Sequence, residues 1–285
     1  MFNRFAFRLF SACAACAACL AWQEAAGQAV AVEPPYQIIL RSRNGVVTPE
    51  RNKNGQTGGG YIQVIQVEPN QVLVLMRGAA AAGSGLAGSG HKGGSAAMQL
   101  ELHQDFDVVP TRTDLRPPRM IVSAWLIGTL GSSQDQPGGT AGHSPACAVI
   151  KSEDQPLFNV CIKPHSVADG QNLLVNDRVG PMEMTIAPGG YHLHQTFAIN
   201  AFQPKICCHS GSAAADFDPD PRLDSRWTEV LKPFRAAPHR DFGFRVIFQV
   251  VEEPKTPGIF LPETLPTPRL EEKEKLADDE GPAKP

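Results

Sequence analysis

The residues able to do chemistry in this chain gather between Arg178 and Pro219. His192 and His194 stand at alternate positions there, followed by Cys207, Cys208 and His209. In a strand, period two puts both imidazoles on one face and Tyr191 and Leu193 on the other, with a rise of about 3.3 Å per residue. Two imidazoles so spaced can converge on one metal ion. Zinc or copper needs at least one further nitrogen or sulfur donor at about 2.0–2.3 Å, and His209, Cys207 and Cys208 are the nearest in sequence. The candidate metal set is therefore His192, His194 and His209. The plain alternative needs no cofactor and leaves both imidazoles on the wet face of an edge strand, with the cysteines in disulfides.

Outside the first 29 residues the cysteines are Cys147, Cys161, Cys207 and Cys208, an even number that points to a disulfide framework in an exported chain. Adjacent cysteines bond each other only with strain, because their Cα atoms are about 3.8 Å apart across a trans peptide. The favoured pairing therefore takes Cys147 and Cys161 each to the Cys207–Cys208 pair. The rival pairing joins Cys147 to Cys161 across one hairpin, with the vicinal pair free, bonded to itself or holding a metal.

Gly190-Tyr-His-Leu-His194, then Cys207 or Cys208, then Ala214-Ala-Asp-Phe-Asp-Pro219 resembles a run in the copper-zinc superoxide dismutases. In that family G-[FY]-H-[VIL]-H leads to a disulfide cysteine and then to G-x-H-[FW]-[ND]-P. The resemblance implies a Greek-key β-barrel with His192 and His194 as copper ligands. Three departures set the chain apart. Asp216 stands where the metal-bridging histidine belongs, no zinc-ligand histidines follow, and no late V-V-H strand supplies the last copper ligand. A second echo, Gly138 to Ile150, lies before the His-x-His run, out of the family's order. No dismutase activity is expected.

Other catalytic patterns are weaker. Gly142-His-Ser-Pro-Ala146 lacks the strand–turn–helix setting of a nucleophile elbow, so Ser144 is not a candidate nucleophile. Asp216, Asp218 and Asp220 alternate but lack the central glycine and closing Glu of an EF-hand loop. No catalytic residue is assigned.

Arg4 and Arg8 precede a small, apolar run from Leu9 to Trp22, and Gly27-Gln28-Ala29 offers small residues for a cut after Ala29. This is the pattern of a secretory signal peptide over 1–29, too short for a membrane span. No later stretch is long and apolar enough to cross a membrane, so none is expected after cleavage. Secreted or periplasmic placement follows. The net charge is −3, and from Glu252 onward nine acids face five bases, which leaves the body between leader and tail without net charge. A neutral body with no basic cluster excludes nucleic acid as the partner.

The elements expected to position these residues are strands. Tyr61–Val67 and Gln71–Met76 flank Glu68-Pro69-Asn70 as a hairpin, and Ala146–Lys151 with Leu157–Lys163 form a second, Cys147 opposite Cys161. Met98–His103 alternates, with Glu101 and His103 on its wet face. Arg119–Leu130 is apolar on both parities, as in a covered central strand, and Phe242–Val251 is a core strand. Tyr191–Ile199 is a strand and Leu223–Leu231 a short helix. Loops are expected over Ser42–Gly60, over the Gly/Ala/Ser-rich stretch 78–97 and over Gln134–His143. Residues 254–285 read as a disordered, charged, Pro-rich tail.

The fold class expected is all-β, an antiparallel, Greek-key-like β-sandwich spanning 30–253 with few or no helices. The first functional reading is a non-enzymatic structural or interaction module touching an unknown protein or envelope component. The second is a copper- or zinc-binding secreted protein using the His192/His194 strand pair.

Overall fold

A computed structural model describes residues 33–83, 93–133, 138–204, 211–218 and 241–254. The leader over 1–29, Cys207, Cys208, His209, the helix expected at 223–231 and nearly all of the C-terminal tail lie outside the described residues.

Among the described residues every regular element is a strand. In chain order these are β1 (Tyr36–Arg51), β2 (Gly55–Glu68), β3 (Gln71–Gly83), β4 (Gly94–Pro110), β5 (Pro118–Ser132), β6 (Thr140–His143) and β7 (Ala146–Ser152). Then follow β8 (Gln155–Ile162), β9 (Ser166–Ala168), β10 (Asn172–Thr185), β11 (Gly189–Gln203), β12 (Ser212–Asp216) and β13 (Gly243–Glu252). They form two packed antiparallel sheets, the β-sandwich the composition pointed to. The first sheet runs β1, β4, β11. Beyond β11, β7 and β8 flank one half and β6 and β9 the other. The second sheet runs β10 and β5, then β12 and β13 end to end, then β3 and β2.

Alternation decides which side chains fill the space between the sheets. From the first sheet come Met98, Leu100, Leu102, Phe106, Leu193 and Phe197, and from the second Val74, Met76, Met120, Val122, Phe244 and Phe248, all buried. Phe106 meets Phe248 with ring centroids 4.8 Å apart, and Phe197 meets Phe217 edge-on at 5.1 Å. The apolar-on-both-parities run at Arg119–Leu130 is β5, hydrogen-bonded to β10 on one side and to β12 and β13 on the other.

Four expectations are corrected. The polar run Ser42–Gly60 is mostly strand, because β1 continues to Arg51 against β4 and β2 begins at Gly55. Most of it is exposed, so no apolar alternation marks it. The Gly/Ala/Ser stretch is strand at both described ends: 78–83 closes β3 and 94–97 opens β4. Ala79 to Ala82 are fully buried, and a Cβ on Gly78 would sit 2.6 Å from Met98 Sδ. At those ends the small residues permit close approach of the two sheets, and the part of the expected loop over 84–92 lies outside the described residues. Thr140–His143, expected as loop, is the short strand β6 between β11 and β9. Finally, Cys147 and Cys161 are register partners on β7 and β8 and bond to each other, so neither reaches the Cys207–Cys208 pair.

Candidate metal centre

β4 and β11 lie side by side in the first sheet, and their register assembles the site. Glu101 faces Thr196, His103 faces His194 and Asp105 faces His192. Since Leu100, Leu102 and Phe106 of β4 and Leu193 of β11 point into the core, these polar partners share the outer face. β11 is an interior strand, held by β4 on one side and by β6 and β7 on the other, so the histidine pair is not on an edge strand.

His103 and His194 stack with centroids 4.4 Å apart and planes 9° from parallel. Their Nε2 atoms both reach Glu101 Oε1, at 3.1 Å and 3.0 Å. One donor atom from each of Glu101, His103 and His194 lies within 4.8 Å of the other two. The side chains of Glu101, His103 and His194 are 35%, 40% and 32% exposed, so the cluster is open on its solvent side. The two imidazoles, His194 first, hold the Glu101 carboxyl below the usual carboxylate range.

His192 turns the other way. Its Nε2 is 3.1 Å from His103 Nδ1, and its Nδ1 is 2.6 Å from Asp105 Oδ1. Asp105 is also held by the Ser42 hydroxyl through its other oxygen. The His192 bond, then the Ser42 bond, depress the Asp105 carboxyl. The pair expected to converge thus separates: His194 enters a three-donor cluster with Glu101 and His103, and His192 joins Asp105.

A β-bulge explains why Ser42 is there. Between Leu40 and Arg43 the β1 register against β4 gains one residue, so Arg41 and Ser42 together oppose Asp105. Ser42 takes Asp105, and Arg41 takes Asp107 through its Nε at 2.6 Å. At the bulge the buried Gln104 donates its Nε2 to the carbonyl of Ser42 at 3.2 Å and to that of Asp105 at 2.8 Å. Beside His192 and Asp105 an open cleft of about 560 Å³ is edged by Asp107, Lys151, Glu153 and Asp154.

Sequence reasoning missed Glu101, His103 and Asp105 as site residues. The signal was present, since Glu101, His103 and Asp105 alternate as His192 and His194 do, but nothing in the sequence said that the two strands are neighbours. His209 lies outside the described residues, as do Cys207 and Cys208. The dismutase-like geometry is not reproduced: Asp216 is buried on β12 in the second sheet, whereas His192 and His194 occupy the outer face of the first.

No protein-family model matches the chain, and no curated protein matches it in sequence. Among solved structures it is similar to a bacterial lipoprotein from Bacteroides thetaiotaomicron, at 9% identity over 78% of this chain and 92% of that one, with a TM-score of 0.21. A CBM4 structure matches at 11% identity over 60% of this chain and 94% of that one, with a TM-score of 0.12. At such TM-scores neither match bears on function.

Proposed function

We propose that this chain is an exported β-sandwich of the cell envelope or exterior that binds one copper or zinc ion through Glu101, His103 and His194. The observation that carries the reading is the convergence of two imidazole nitrogens on one carboxylate oxygen, at 3.1 Å and 3.0 Å, on a rigid sheet face open to solvent. Donors about 2.0–2.1 Å from a tetrahedral ion stand roughly 3.3 Å apart. Each of these contacts therefore needs to open by only about 0.3 Å to admit the ion on that same geometric basis. Two nitrogens and one oxygen suit a borderline cation, and the exposed side leaves a coordination position for water or a solute. Export is supported by the leader-like residues 1–29 and by the Cys147–Cys161 disulfide, a bond that persists in oxidising compartments. Among the described residues no helix is long and apolar enough to cross a membrane.

The test is elemental analysis of the untagged protein, exported to an oxidising compartment, loaded with copper or zinc and dialysed against a weak chelator. About one equivalent is expected to remain by the donor count above. His194→Ala and Glu101→Gln each lose it, while the fold, read by circular dichroism, stays. A native protein emptied by dialysis would reduce the cluster to a surface ion-pair network and leave an interaction module without a cofactor.

A further inference from the structure

Resting on the metal reading above, we propose that His192 and Asp105 are positioning residues and not ligands. They form an outer support that fixes which nitrogen of His103 meets the ion.

A neutral imidazole has one lone pair and one N–H. If the ion takes the lone pair of His103 Nε2, beside Glu101 and His194, the ring's proton must sit on Nδ1. That atom points at His192 Nε2, 3.1 Å away. To accept it, His192 must carry its own proton on Nδ1, which points at Asp105 Oδ1, 2.6 Å away. With the ion in place, every contact in the chain His103–His192–Asp105 becomes a proper donor–acceptor pair with both rings neutral. The chain therefore aims the lone pair of His103 Nε2 at the position between Glu101 and His194.

The support continues past Asp105. Ser42 holds the second carboxylate oxygen, the β1 bulge places Ser42, and buried Gln104 donates to the Ser42 carbonyl. Removing partners that orient a metal-bound histidine typically costs 10–100-fold in affinity without changing the ligand set.

The experiment measures zinc affinity by chelator competition on the full chain, with the metal's donor shell read by X-ray absorption. His192→Phe should weaken zinc binding about 10–100-fold while leaving the same two imidazoles at the metal. His192→Gln, whose Oε1 can accept from His103 Nδ1–H, should recover most of that loss. Asp105→Asn should weaken binding in the native background and add little on top of His192→Phe, because both act through one chain. An unchanged affinity in His192→Phe overturns the proposal. So does a native spectrum with three imidazoles that falls to two in His192→Phe, which would make His192 a ligand. If His192→Phe fails to fold, Asp105→Asn decides: full affinity in that variant overturns the proposal. No zinc binding by the native chain is a different outcome, and it removes the metal reading itself.

Discussion

His143 shows how one side chain can make the fold sensitive to pH. It is buried beside Phe197 and edge-on to Phe217, with its Nδ1–H donating to the Ser144 carbonyl at 2.7 Å. Burial pushes its pKa down, and the bond to Ser144 only partly opposes this. His165 also lowers it slightly and Asp177 of β10 raises it. In the unfolded chain the group titrates near its ordinary value of about 6.5. Since the folded value is lower, the native state binds fewer protons just below that pH, and stability falls as pH drops from about 6.5 toward the folded pKa. Urea midpoints measured at pH 7.5 and 5.5 should therefore fall on acidification, and His143→Phe should flatten part of the drop. An equal drop in the variant would mean that the buried imidazole is not the sensor. The depressed carboxyls of Glu101 and Asp105 act in a separate window. Their contribution is present above the ordinary carboxylate pKa of about 4 and is lost only as pH falls further.

The β1 bulge and Gln104 make an element-level prediction. Gln104→Leu keeps the buried volume but removes the side-chain donor to the Ser42 and Asp105 carbonyls, so it should cost about 1–3 kcal/mol in chemical denaturation. A neutral result would mean that the bulge relaxes without its donor. What the sequence made legible at this scale was decided by side-chain pattern. The alternation in β4 and β13, the apolar run of β5 and the hairpins β2–β3 and β7–β8 all correspond to elements of the structure. The misread stretches lacked that pattern for physical reasons. β1 beyond Leu40 is exposed on most positions, so it carries no core stripe. The end of β3 is built from Gly and Ala, which rank low as strand formers, yet it is buried where Met98 of the facing sheet approaches it closely. The cysteine pairing was misjudged because a directly opposite hairpin pair needs no distant partner, and the register that sets them opposite was already written in the two flanking strands.

Across the whole molecule, the metal reading ties stability to ligand. An ion that binds only the folded sheet at a hundred times its Kd adds about 2.7 kcal/mol. For a domain of this size that is roughly 5–10 °C in Tm. Thermal scans of the chelated protein with and without zinc should show this rise, and Glu101→Gln should abolish it. An unchanged Tm at saturating zinc would count against a site formed by folding. The candidate site itself was only half legible. Period two put His192 and His194 on a common face, but pairing them with Glu101 and His103 depends on a contact across 93 residues of chain between Glu101 and His194. That separation also sets an order in time. A chain emerging from its N-terminus presents β4 long before β11 exists to lie beside it, so the nascent protein holds two of the three donors and no complete site. Any ion it carries must be acquired after synthesis has passed Gln203 and the sheet has closed, in whichever compartment that closure takes place.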